Sequence, residues 1–328
     1  MSGNATEQPA FEDLQQAADW FAVLQDDRVT DADRRQWQRW LETGPRQRAA
    51  WQQVETVASE LSGMASPMVR QVLEVRPAVS RRRRTVLRTL MLAPAAGLAG
   101  WVAARHAPWQ EWTAAYRTET GEQRAWTLAD GSQLLLNTAT AVDVDYSVTL
   151  RRIVLHRGEL LITSGYDESR PPRPLVVDVA AGRLTALGTR FAVRHEEDGA
   201  ARVAVFDGAV QVSPADEAEP RVLQAGQQVR LRSGGIDAAS DAAGYGLDWQ
   251  QGMLVADGMR LGDFIAELGR YRRGHLACAP EVADLRIVGA YPLADTSRVL
   301  AALQATLPVQ VRQPLPWWTV VEARPALR

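Results

Sequence analysis

The stretch RRRRTVLRTLMLAPAAGLAGWVAARHAPW, residues 81–109, decides how the rest of the chain is divided. From Thr89 to Ala104 there is no ionisable side chain. At about 1.5 Å per helical residue this gives roughly 24 Å of apolar helix, short of the roughly 30 Å hydrocarbon core of a bilayer. Arg88 and Arg105 can snorkel along their own stems and lengthen the usable span. Pro94 with Ala95, Ala96, Gly97, Ala99 and Gly100 is an unusual set for a helix in water but ordinary inside a bilayer. Trp101, Trp109 and Trp112 gather at one end like an interfacial aromatic belt, and Arg81 to Arg84 sit at the other. The positive-inside rule then puts residues 1–80 in the cytoplasm and everything after about residue 110 across the membrane. The expectation is a transmembrane helix over 85–106 rather than a buried core helix or a cleaved signal, which would not carry 80 residues ahead of it. Arg83 and Arg84 before Thr85, Val86 and Leu87 also form a low-specificity match to a twin-arginine export signal.

With 328 residues the chain has room for two or three domains. Its formal net charge of -2 offers no global basic field for nucleic acid. Cys278 is the only cysteine, which excludes an intrachain disulfide and a cysteine zinc cluster. His106, His156, His195 and His275 are scattered without metal-ligand spacing, so no metal and no cofactor is expected.

Ahead of the apolar stretch, Phe11, Leu14, Ala18, Phe21 and Leu24 repeat at helical spacing. Thr30 and Asp31 can cap a second helix to about residue 42 that carries Trp37, Trp40 and Leu41, and Gly44-Pro45 ends it. A third helix has its stripe at Trp51, Val54, Val57, Ala58 and Leu61. Such a bundle has a core barely adequate alone, so it gains from a partner. Residues 1–75 hold 12 acids against 7 arginines, a net of -5, which argues against a DNA-reading helix-turn-helix and for a basic protein partner.

After the apolar stretch the period changes to two. Asp130-Gly131, Asp198-Gly199 and Asp207-Gly208 stand between alternating runs and read as hairpin turns. Strands are expected at 122–128, 132–137, 141–146, 151–164, 175–179, 183–194, 200–206, 209–213 and 227–232, which fit either a sandwich or a flattened solenoid. Beyond residue 245 the order β-α-β-β-α-β-β describes a small α+β module, with helices at 261–271 and from Thr296 to Leu307 and a closing hairpin through Trp317 and Trp318. One face or edge of its sheet would remain available to a partner.

AADWFAVL, DADRRQWQRWL and RAAWQQV, then LADGSQLLLNTAT, RRIVLHRGELLI, LVVDVAAGRLTALGTRFAVR, VFDGAVQV and LQAGQQVRL, resemble the FecR/PupR anti-sigma regulators of bacterial iron-uptake signalling along nearly the whole chain. DWQQGMLVADGMRLGDFIAELGRYRRG and RIVGAY are similar to the short N-terminal module shared by secretins and TonB-dependent receptors. The resemblance implies a cytoplasmic helical anti-sigma domain (1–75), a basic linker (76–84), the span (85–106), a periplasmic β domain (110–235) and a C-terminal signalling module (245–328). It implies an extracytoplasmic-function sigma factor held in the cytoplasm, with Trp20, Phe21, Trp37, Trp40 and Trp51 shared between bundle core and sigma contacts. It further implies contact with the signalling domain of a ligand-loaded TonB-dependent outer-membrane receptor, release by periplasmic and intramembrane proteases, and residence in the bacterial inner membrane.

Some members of that family cleave themselves at a Gly-Thr bond in a motif like LGTRF, which here is Gly188-Thr189. A threonine hydroxyl can attack the carbonyl before it to give an ester that water opens. The alternative is a glycine bulge that turns the strand toward Arg190 and Phe191. A single maturation event would not make the chain an enzyme, and there is no GxSxG elbow, paired-histidine site or P-loop. A membrane-anchored β-scaffold that binds envelope polymers or a secretin is the competing class.

Overall fold

The computed structural model describes residues 9–25, 29–63, 114–216 and 218–325. Helices α1 (Phe11–Leu24), α2 (Asp31–Glu42) and α3 (Pro45–Gly63) form the N-terminal bundle. The start of α2 is set by a reciprocal cap. The Thr30 hydroxyl accepts from the Asp33 N–H at 3.2 Å while the Asp33 carboxylate accepts from the Thr30 N–H at 2.9 Å. Pro45 opens α3, where its missing N–H costs nothing. The Leu61 side chain, expected on the α3 stripe, lies outside the described residues.

The β domain is two facing sheets. One runs β1 (Tyr116–Arg117), β4 (Ala141–Tyr146), β5 (Arg151–Arg157), β7 (Leu175–Val179), β8 (Gly182–Ala186), β11 (Ala209–Pro214) and β12 (Arg221–Gln224). The other runs β14 (Gly235–Ile236), β13 (Gln227–Arg232), β10 (Ala201–Asp207), β9 (Arg190–His195), β6 (Glu159–Thr163), β3 (Gln133–Leu136) and β2 (Arg124–Thr127), with β15 (Ser240–Asp241) beside β13. The chain crosses back and forth, and both sheets grow in the same direction, so the architecture is a sandwich wound like a flattened solenoid. Leu134, Leu136, Ile153, Leu160, Leu184 and Phe191 fill the space between the sheets, each fully buried.

Two expected long strands, 151–164 and 183–194, are each cut in two. Gly158 (φ +88°) ends β5 and sends the chain to the other sheet, and a Cβ there would lie 2.3 Å from the Thr140 hydroxyl. The second cut is at Leu187–Thr189. Asp207-Gly208 is likewise a crossing between sheets and not a hairpin, whereas Asp130-Gly131 and Asp198-Gly199 do turn the β2–β3 and β9–β10 hairpins. Strand β12 escaped expectation because it buries only Leu223 and so carries no alternating pattern.

The C-terminal module follows the expected order: β16 (Met253–Arg260), α4 (Leu261–Gly269), β17 (His275–Cys278), β18 (Arg286–Pro292), α5 (Thr296–Thr306), β19 (Val309–Leu315) and β20 (Trp318–Ala323). Phe264, Ile265 and Leu268 of α4 pack in one core with Leu161 and Ala192 from the outer face of the second β-domain sheet. A line of charge locks this seam. Glu159, 2% exposed, accepts from Asn137 at 2.9 Å and Arg270 at 2.7 Å. Arg270 also donates to Glu267 at 2.5 Å, and Glu267 accepts from Arg194 at 2.8 Å. Burial opposes ionisation of Glu267, yet Arg270 and Arg194 hold its carboxyl below the usual carboxylate range.

The other face of the C-terminal sheet is occupied as well. Trp318 and Val320, alternate residues of β20, pack with Ala17, Ala18, Ala50 and Val54 of the bundle. Phe21 meets Trp317 edge-on at 5.5 Å, and Arg312 reaches Asp19 at 3.4 Å. This corrects the expected architecture, in which a single transmembrane helix separates bundle from module. No described helix is long and apolar enough to cross a membrane, and α3, the longest, carries Arg46, Arg48 and Glu55. Residues 85–106, the linker 76–84 and with it Arg83 and Arg84 lie outside the described residues. The partner that the thin bundle core needs is the tryptophan-bearing face of the module.

His275 stacks on Trp318 at 3.9 Å, and its Nε2 is buried without a hydrogen-bond partner among the described residues. Burial pushes its pKa down to about 4.

Arg270→Met leaves Glu159 buried with its main counter-charge gone, and a loss of about 3–5 kcal/mol in urea unfolding is expected; a loss under about 1 kcal/mol would mean the seam does not hold the two units. A double-mutant cycle on Phe21→Ala and Trp317→Ala should give a coupling of about 0.5–1.5 kcal/mol, and zero coupling would separate bundle from module. The His275 contribution is complete above its ordinary pKa near 6.5 and is lost as pH falls toward about 4, because the unfolded chain takes up the proton first. His275→Phe should flatten the unfolding midpoint across that window.

Candidate functional site

Gly188 and Thr189 sit where the chain leaves β8 in one sheet and enters β9 in the other. The crossing has one wet and one dry side. Gly188 is exposed at φ +80°, a conformation comfortable only for glycine, while Thr189 is 4% exposed and its hydroxyl is buried with no hydrogen-bond partner among the described residues. An unengaged buried hydroxyl costs stability, and such costs collect where structure serves chemistry. The register shift in this hairpin falls between Val205 and Asp207 on β10, so the expected bulge is on the neighbouring strand and Gly188 is a corner.

Both sides of the bond are held. The Thr189 N–H donates to the Ser164 hydroxyl at 2.8 Å, and the Ser164 N–H donates to the Thr189 carbonyl at 2.9 Å. The Gly188 carbonyl lies against Gly208, where an added Cβ would come to 1.9 Å from its oxygen. Behind Ser164, the Ser132 hydroxyl accepts from the Gly165 N–H at 2.8 Å, and Arg151 donates to the Gly165 carbonyl at 3.1 Å. Arg151 is anchored in turn by a buried 2.6 Å ion pair with Asp130. Burial works against the Asp130 carboxylate, but hydrogen bonds from Ser132, Arg151 and Tyr146 keep its pKa below the usual range. Sequence reasoning found Gly188 and Thr189 through a motif and missed Ser164, Gly208 and the Asp130–Arg151 pair. The only signal for them was the recurring Asp-Gly and Ser-Gly corners.

The aromatic residues expected to touch a sigma factor divide in three. Trp37 meets Trp51 at 5.0 Å, Trp51 meets Phe21 at 5.8 Å, and Phe21 continues to Trp317. Trp40 donates its indole N–H to Gln16 at 2.7 Å and ties α2 to α1. Trp20 is half-buried on α1. A cleft of about 210 Å³ between the β domain and the C-terminal module is lined by Glu159, Arg194, Tyr245, Trp249 and Glu267, charged groups already engaged in the seam among them. Among the described residues no group of three or more His, Cys, Asp or Glu is placed to hold a metal ion.

The FecR protein family matches residues 114–211, and a domain of unknown function, DUF4880, matches residues 15–57. No curated protein matches the chain. Two crystal structures of a candidate anti-sigma factor from Parabacteroides distasonis ATCC 8503 share the fold, each 23% identical over 63% of this chain and 97% of that one, with a TM-score of 0.51. The first match lies across the two sheets that hold Gly188 and Thr189 and the second across the helical bundle, so the β domain is similar to the FecR family and the bundle to DUF4880.

Proposed function

We propose that this chain is an anti-sigma regulator that holds an extracytoplasmic-function sigma factor through its N-terminal bundle. The observation that carries the reading is the pairing of an acidic bundle, built around Trp37, Trp40 and Trp51 and matched at residues 15–57, with a FecR β domain at 114–211. An acidic helical surface suits a basic partner such as the DNA-contacting face of a sigma factor. The fold shared with the candidate anti-sigma factor of Parabacteroides distasonis supports the same reading. The chain acts as a regulator and not as an enzyme.

The finer steps belong to the same proposal. The C-terminal module takes the signalling domain of a ligand-loaded TonB-dependent outer-membrane receptor, proteases complete the release, and the genes controlled serve iron uptake as siderophore, citrate or haem. The place of action in this reading is the bacterial inner membrane. Self-cleavage between Gly188 and Thr189 is a maturation step, supported by the dry, unengaged Thr189 hydroxyl beside an exposed glycine.

Co-purification of the full chain with each extracytoplasmic-function sigma factor of its host tests the central claim. A one-to-one complex with one factor is expected, together with altered transcription from its promoter. Trp37→Ala and Trp51→Ala should each weaken that complex by about tenfold or more, since aromatic anchors carry interface energy both directly and through the core they build. No complex with any factor would leave a β-scaffold as the better reading.

A further inference from the structure

Resting on the reading of Gly188-Thr189 as a self-cleavage bond, we propose that Ser164 is a positioning residue for that cleavage, holding the Thr189 nitrogen first as the scissile amide and then as the leaving amine. The chemistry needs such a group. Thr189 Oγ1 attacks the Gly188 carbonyl carbon and a C–O bond forms. The C–N bond breaks with its electron pair going to nitrogen, which takes the proton that Oγ1 gives up. The product is an ester to Thr189 Oγ1 beside a free amine. Water then adds to the ester carbon, leaving the Gly188 carboxylate and an N-terminal Thr189 with its hydroxyl restored. One water is consumed and nothing is oxidised or reduced.

The ester is less stable than the amide it replaces, so it persists only while the amine is prevented from returning. Protonation does this, because an ammonium has no lone pair to attack with, and an α-amino group takes its proton below about pH 8. A hydroxyl that accepts from the nitrogen stabilises the ammonium and raises that limit. Ser164 Oγ is the acceptor already in place, 2.8 Å from the Thr189 nitrogen. It is not free to drift. The reciprocal bond from its own N–H to the Thr189 carbonyl, and the Ser132 and Arg151 bonds to Gly165, fix it from behind. On the opposite side Gly208 leaves room for the Gly188 carbonyl, and a Cβ added there would lie 3.2 Å from the Thr189 methyl, so the threonine side chain has its methyl on that side. Exposure of Gly188 gives the second step its water.

The test follows the cleaved fraction of the purified full chain by gel and mass spectrometry, from about pH 6 to about pH 9, with hydroxylamine to capture the ester. Thr189→Ala should remain intact. Ser164→Ala should cleave about tenfold more slowly near neutral pH, the worth of one hydrogen bond to a charged group, and its pH profile should move to lower pH because the ammonium loses its acceptor. Ser164→Thr should restore both rate and profile, and an unchanged urea midpoint separates this effect from misfolding. Ser164→Cys, whose sulfur is a weak acceptor, should behave like Ser164→Ala and serves if that variant does not fold. Wild-type rate and pH profile in Ser164→Ala, with Thr189→Ala uncleaved, would overturn the role of Ser164 and leave self-cleavage standing. An intact wild-type chain would overturn self-cleavage and this role with it.

Discussion

The centre of the second sheet of the β domain, strands β6 and β9, is buried on both of its faces, and the rest of the molecule depends on that. Its inner face shares the sandwich core through Leu160, Ile162 and Phe191, and its outer face receives α4 on Leu161 and Ala192. A sheet covered on both sides cannot show alternation, which is why β6 reads as the unbroken Leu-Leu-Ile run. Two-sided burial also forces polar groups near the seam to find partners, and Glu159, Arg270, Glu267 and Arg194 satisfy one another there. The C-terminal module thereby becomes an extension of the β domain, and its remaining open face, with Trp318 and Val320, is what the bundle covers.

The crossings between sheets give the β domain its unusual polar corners. Wherever the chain changes sheet, a carbonyl and an amide leave the ladder and must be held by something else. At Gly158 the neighbour is a threonine hydroxyl; at Gly188-Thr189 it is Ser164 on one side and the bare backbone of Gly208 on the other. The second arrangement differs in leaving the Thr189 hydroxyl dry and unengaged. An ion pair as deep as Asp130–Arg151 adds little net stability on its own account, but its hydrogen bonds reach Gly165 and thus the residue beside Ser164. Rigidity of the corner is where its value lies.

The three bundle helices were legible because apolar residues at helical spacing, the Thr30 cap and the Gly44-Pro45 break are local signals, and so were the order of the C-terminal module and the hairpins at Asp130-Gly131 and Asp198-Gly199. The Gly188-Thr189 pair was legible as a motif. Its partners were not, since Ser164 and Gly208 are ordinary residues until the winding of two sheets brings them to the same bond. The expected membrane-separated arrangement failed for a related reason. Local hydropathy describes a segment by itself, and nothing in residues 11–54 announces that Trp317 and Trp318, far along the chain, form the surface they pack on.

By itself, then, the sequence determined the kinds of elements, their order and a resemblance to a family, because these follow from periodicity, caps, turn chemistry and motifs that act over a few residues. Only the tertiary structure decided which continuous runs break into two strands, which acids and arginines share a seam, and which hydroxyl faces which amide. Those depend on contacts between residues as distant as Glu159 and Arg270 or Phe21 and Trp317, whose pairing is set by how two sheets wind and which faces they leave to be covered.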